Sequence, residues 1–121
     1  MTESKRILLV EDYEDLYFVY QQYLGTNHHY EFATSAPRAI ALISAGRFDH
    51  ILCDYHLAGK TNGREVYEWV AENRPDLLEH VFVFVCAALD KVDDLAGAKV
   101  IPKGDFRAMQ LLVSPSEHSK M

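Results

Sequence analysis

Five short apolar runs, each separated from the next by a segment of helical periodicity, constrain this chain more than any other feature. RILLV (6–10) is apolar without alternation, the pattern of a strand covered on both faces. Leu16, Val19, Tyr20, Tyr23 and Leu24 then fall at helical spacing, and Gly25 stops the helix. HYEFAT (29–34) reads as a second, weaker strand. Ser35 caps a helix with Pro37 in its first turn, a buried stripe of Ala36, Ile40 and Ile43, and Gly46 at its end. FDHILCD (48–54) is the third strand, and the polar loop YHLAGKTNG (55–63) follows. Val66, Tyr67 and Val70 mark a helix that ends before Pro75. HVFVFVCA (80–87) is the fourth strand, the richest in β-branched and aromatic residues. Leu89, Val92 and Leu95 have helical spacing, with room for only about two turns before Gly97. AKVIP (98–102) is a short fifth strand, and Asp105 caps a last helix carrying Phe106, Met109 and Leu112.

Strands alternating with helices imply a parallel sheet covered on both faces. Right-handed crossovers and short loops favour an α/β, flavodoxin-like (βα)5 doubly wound sheet of order 2-1-3-4-5, here with a shortened fourth helix. At 121 residues there is room for one domain, expected over 1–113, with the aperiodic SPSEHSKM (114–121) as a loose tail. A hydrophobic content of 49% excludes a disordered chain, and a net charge of −6 argues against a nucleic-acid partner. The longest apolar stretch, VFVFVCAAL (81–89), falls well short of the roughly 18 residues of a membrane span. MTESKR leads straight into a strand without a signal-peptide pattern, so a cytoplasmic, reducing setting is expected for Cys53 and Cys86.

In sheets of this kind ligands gather at the carboxyl ends of the strands, near the switch between strands one and three. Glu11 and Asp12 follow strand one, Asp54 ends strand three, and Lys103 follows strand five. Two carboxylates about 4 Å apart repel by roughly 4 kcal/mol at an effective dielectric of about 20. Three together need a cation: Lys103 supplies one positive charge, and a divalent metal would supply the rest. Oxygen ligands with open water positions suit Mg²⁺ better than zinc. Any one of these acids is more readily a helix cap or turn residue, whereas four charged groups at matched strand ends point to a site.

The stretches ILLVED (7–12), ILCDYHLAGKTNG (51–63), FVFVCA (82–87) and VIPK (100–103), in this order and spacing, resemble the receiver domains of response regulators and hybrid histidine kinases, over about residues 5–113. The resemblance implies a signalling module rather than an enzyme. Asp54 would take a phosphoryl group from a phosphohistidine on a histidine kinase or histidine phosphotransfer domain. Asp12 and Asp54 would bind Mg²⁺ directly, Glu11 through water, and the His56 backbone carbonyl would complete the protein ligands. Lys103 would pair with Asp54 and then with a phosphoryl oxygen. The His56 side chain would border the phosphoryl group and tune its hydrolysis. A downstream protein would read the phosphorylated form.

Three positions depart from the family pattern. Cys86 stands where Ser or Thr is usual, and a thiol is a weak donor. The lost hydrogen bond, about 1.5–3 kcal/mol, compares with the roughly 5.5 kcal/mol that drives a two-state switch from 1:99 to 99:1. The expectation is that phosphorylation persists while the shape change is damped. Val100 replaces the usual aromatic residue, and Gly104 replaces the proline after the lysine, leaving that loop freer. These departures support an alternative, a phosphorylation-independent pseudo-receiver acting as an interaction module. A phosphatase-type hydrolase is disfavoured, because Tyr55-His56 follows Asp54 where a second acid would be needed.

Strand alternation sends Cys53 to the face opposite Asp54 while Cys86 is expected to point toward the pocket, which argues against a Cys53–Cys86 disulfide. His28, His29, His50, His80 and His118 lie in loops or at strand starts and are expected to face solvent. Tyr13, Tyr17, Tyr20 and Tyr23 surround the first helix, with some rings exposed. They form either an interface or a set of buried rings with wet hydroxyls.

Overall fold

The computed structural model describes residues 4–55, 57, 63–86 and 99–114, the side chains of His80 and Cys86 excepted. The described elements are β1 (Arg6–Val10), α1 (Asp15–Leu24), β2 (His29–Ala33), α2 (Ala36–Ala45), β3 (His50–Asp54), α3 (Gly63–Asn73), α4 (Leu77–His80), β4 (Phe82–Cys86), β5 (Val100–Pro102) and α5 (Phe106–Val113). The strands form one parallel sheet of order β2-β1-β3-β4-β5, the flavodoxin-like arrangement expected from the alternation. The expected shortened fourth helix falls on 87–98, outside the described residues.

Two apolar layers hold the sheet. Because successive side chains alternate, Leu8, Val10, Ile51, Cys53, Phe82 and Phe84 pack on one side with α2 and α3. Ile7, Leu9, Leu52, Val83 and Val85 pack on the other with α1 and α5. Phe82 and Phe84 meet edge to face at 5.1 Å, and truncating such a buried ring to alanine costs about 3–5 kcal/mol. Cys53 is a buried free thiol within the first layer, on the side predicted by alternation.

Local chemistry sets the helix ends. Ser35 Oγ accepts the Arg38 N–H at 3.4 Å, and Asp105 Oδ1 accepts the Ala108 N–H at 3.1 Å, so both expected caps form. The stripe of α2 differs from expectation: Ala36, Ala39 and Ile43 are buried, and Ile40 is only partly covered. The small Ala39 lets the helix lie close to the sheet. The four-residue α4 was not anticipated, since one turn carries no periodicity to read.

The histidines also differ from expectation. His28 is buried, and its Nδ1 accepts the Lys5 N–H at 3.0 Å. His50 is half-buried, and its Nδ1 lacks a hydrogen-bond partner. His29 is exposed as expected; the side chain of His80 and all of His118 lie outside the described residues. No helix among the described residues is long and apolar enough to cross a membrane.

Candidate functional site

Val10 pairs with Cys53 across β1 and β3, so the next residue on each strand, Glu11 and Asp54, leaves the sheet at the same edge. The Glu11 N–H continues the ladder onto the Ala33 carbonyl at 2.9 Å, which carries β1 one residue past its formal end. Lys103 leaves β5, two strands away from β3, and its Nζ lies 2.8 Å from Asp54 Oδ2. The same ammonium lies 3.4 Å from Glu11 Oε1 and 3.2 Å from Oε2, the latter outside hydrogen-bond geometry. Glu11 Oε1 also accepts the Tyr13 N–H at 3.1 Å. Asp12 completes the group: one carboxylate oxygen each from Glu11, Asp12 and Asp54 lie within 4.8 Å of one another.

Burial decides how costly this cluster is. Glu11 is 1% exposed and Asp54 3%, whereas Asp12 is partly open and the Lys103 side chain is 29% exposed. Charge taken out of water must be compensated locally. Burial, then a hydrogen bond shared with Asp54 and that residue's charge, push the Glu11 carboxyl up to about 8, against the pull of the Tyr13 amide and Lys103. Glu11 therefore holds a proton at neutral pH until more positive charge arrives. Burial works against the Lys103 ammonium, but Asp54 and Glu11 outweigh it and hold its pKa above the usual lysine value. The buried Cys53 thiol is pushed well above the ordinary range by burial and then by Asp54 and Glu11, which leaves it an inert packing group.

The backbone beneath Asp54 is tightly packed. The Gly63 N–H donates to the Tyr55 carbonyl at 2.8 Å, and a Cβ on Gly63 would collide with the Asp54 carbonyl. Only glycine fits there, because the obstacle is main chain rather than a flexible side chain. Leu57 is buried in the adjoining layer and anchors the chain just beyond Tyr55.

Four of the sequence-derived site residues, Glu11, Asp12, Asp54 and Lys103, thus converge. His56, with its carbonyl, and the Cys86 side chain lie outside the described residues. Val100 pairs with Phe84 and is partly buried against that layer. Gly104 has φ +94°, a conformation that favours glycine, in a turn closed by Asp105 N–H to Pro102 O and Phe106 N–H to Gly104 O, each 3.0 Å. The glycine does not leave Lys103 unaimed: its ammonium engages both acids. Sequence reasoning missed the close approach of Gly63 and the Tyr17 hydroxyl, which reaches the Glu11 carbonyl. The glycine was visible only as a loop residue, and nothing in the sequence indicated where the tyrosine oxygen points.

No protein-family profile and no curated protein matches the chain. Solved structures do. A CheY-like receiver domain protein from Methanospirillum hungatei JF-1 is 25% identical, with 88% of each chain covered and a TM-score of 0.70. The Mn²⁺-bound form of response regulator Rcp1 is 25% identical, covering 88% of this chain and 89% of that one, with a TM-score of 0.70. The phosphorylated cyanobacterial phytochrome response regulator RcpA is 23% identical, covering 96% of this chain and 93% of that one, with a TM-score of 0.69. The chain has the receiver-domain fold of response regulators.

Proposed function

We propose that this receiver-fold domain accepts a phosphoryl group on Asp54 from a phosphohistidine on a kinase or phosphotransfer partner, with Mg²⁺ held at the acidic cluster. The observation that carries the reading is the geometry of one ammonium and three carboxylates. Lys103 lies 2.8 Å from Asp54, and Glu11 and Asp12 bring oxygens within 4.8 Å of it. Structural stabilisation alone gives no reason to bury this excess of negative charge.

The donor set fits a divalent cation. It is all oxygen, Glu11 Oε2 is buried without a hydrogen-bond donor, and one member, Asp12, opens to solvent. A Mn²⁺-bound structural neighbour of the same fold supports this choice. Asp12 and Asp54 would bind the ion directly, Glu11 through water, and the His56 carbonyl would add a fourth ligand. The bound ion would neutralise the carboxylates and the incoming phosphoryl oxygens.

The residues themselves supply position and charge, which is most of what phosphoryl transfer asks of a protein. An Asp54 oxygen attacks phosphorus, the phosphorus–nitrogen bond of the donor breaks, and the imidazole leaves. Lys103 already touches the nucleophile and is placed to follow charge onto a phosphoryl oxygen. With Cys86 and Val100 in place of the usual hydroxyl and aromatic ring, phosphorylation is coupled to a damped rearrangement. Amide exchange with and without beryllofluoride measures that rearrangement, and a large one would refute the damping.

Incubation with acetyl phosphate and Mg²⁺, followed by intact mass, tests the central claim. One added phosphoryl group is expected on the wild type and none on Asp54→Asn. No addition to the wild type would leave the phosphorylation-independent interaction module as the better reading.

A further inference from the structure

Tyr17 stands apart from the other tyrosines of α1. Its hydroxyl lies 2.5 Å from the Glu11 carbonyl oxygen and 3.1 Å from that of Ala33, so it ties the first turns of α1 to the ends of β1 and β2. The Ala33 oxygen also accepts the Glu11 N–H, at 2.9 Å. Both backbone polar groups of Glu11 are therefore held at this corner. The Tyr17 ring stacks on Phe32 at 4.3 Å with a 30° tilt, adding apolar contact between α1 and β2, while the two carbonyls hold the hydroxyl. Tyr13 and Tyr23 are exposed, and Tyr20 is buried within the α1–α5 layer.

The three carboxylates of the cluster are held unequally. Glu11 is held by the Tyr13 N–H and by Lys103, and Asp54 by Lys103. Among the described residues, no hydrogen bond or ion pair reaches the Asp12 carboxylate. Asp12 is therefore aimed by its backbone. The peptide leading into it is the one whose oxygen Tyr17 holds. Groups that orient a metal ligand from behind are commonly worth tenfold or more in metal affinity.

We infer that Tyr17 is a positioning residue for the cation-binding cluster: its hydroxyl fixes the Glu11–Asp12 peptide and so aims the Asp12 carboxylate at the point where Glu11 and Asp54 converge. The inference rests on the reading that the cluster binds a divalent cation. The Tyr17 hydroxyl remains a donor throughout the physiological range. Burial, then the negative charges of Glu11, Glu14 and Asp12, push its pKa up to about 12.

The test titrates Mg²⁺ and Mn²⁺ by calorimetry into the wild type, Tyr17→Phe and Phe32→Leu, with thermal melts in EDTA for each. Tyr17→Phe keeps the stacked ring and removes only the oxygen; its cation Kd is expected to rise about tenfold. Phe32→Leu loses the stack and keeps the hydroxyl; its Kd is expected to stay within about twofold of the wild type while its melting temperature falls. A merely structural tyrosine would lower the melting temperature and leave the Kd of the folded protein unchanged. Should Tyr17→Phe not fold, Tyr17→Met, which fills similar space without a donor, carries the same expectation. Wild-type binding with an unaltered Tyr17→Phe, or Phe32→Leu weakened as much as Tyr17→Phe, overturns the inference alone. Absence of cation uptake by the wild type overturns the cation reading and this inference with it.

Discussion

The two ends of the sheet are built from the same strands and treat charge in opposite ways. At the amino end, charges are compensated in pairs close to water. Asp49 accepts the Arg6 N–H at 2.8 Å, Arg6 meets Glu31 at 3.3 Å, and Arg74 meets Asp76 at 3.0 Å beside a hollow of about 290 Å³. Such exposed pairs contribute little to stability. At the carboxyl end three acidic side chains gather, and one ammonium engages the two that are almost wholly buried. The first arrangement is at rest. The second is short of positive charge, a shortage that the proposed divalent cation would make good.

The sharpest way to break this contrast is to remove a positive charge from each end. Lys103→Ala should slow phosphoryl uptake from acetyl phosphate by about a hundredfold or more, the usual scale for losing an electrostatic stabiliser. Arg6→Ala should leave the rate within about twofold. Equal effects of the two substitutions would erase the distinction. Next in size is Gly63→Ala, which drives a Cβ into the main chain of Asp54. A loss of about 1–3 kcal/mol in urea unfolding is expected, because no side chain can move aside.

The two ends should also answer pH with opposite signs. Glu11 holds its proton in the fold up to about pH 8, whereas the unfolded chain releases it near the ordinary carboxyl value of 4.5. Between those values the folded state binds more protons, so metal-free stability falls as pH rises. In EDTA the melting temperature should drop across this window by roughly 5 °C or more, equivalent to about 1 kcal/mol, and Glu11→Gln should flatten the drop. At the amino end, burial and then Lys5 lower the His50 pKa below the ordinary imidazole value of 6.5. Here the unfolded state binds more protons on the acid side, so stability is lost as pH falls below about 6.5. The effect should be smaller than the one from Glu11, since His50 is partly exposed. His50→Leu should remove it, and an unchanged acid limb in that variant would show that another group carries it.

The fold was legible because a parallel sheet buried on both faces needs unbroken apolar strands, and RILLV, ILC and FVFVC have no other natural home. The acidic cluster was legible because strand order converts distance along the chain into neighbourhood at one edge. Residues whose roles depend on three-dimensional direction were not. Ile40 and Ala39 are adjacent in a helix, and which one meets the sheet depends on a rotation that the pattern fixes only loosely. His28 looks like a loop residue until its ring is seen accepting from the Lys5 amide. Tyr17 belongs to a row of four similar tyrosines, and only the placement of Ala33 on the neighbouring strand singles it out.

One further consequence follows from the margins of the sheet. β5 is three residues long and finishes in Pro102, which has no amide hydrogen to offer an approaching backbone. On the far side, β2 bears Glu31, tied to Arg6 across the neighbouring strand. Neither rim is a ready template for lengthening the sheet from one molecule into the next. If copies of this domain associate, they should do so through side-chain surfaces, which binding events can tune, rather than by backbone polymerisation, which is difficult to reverse.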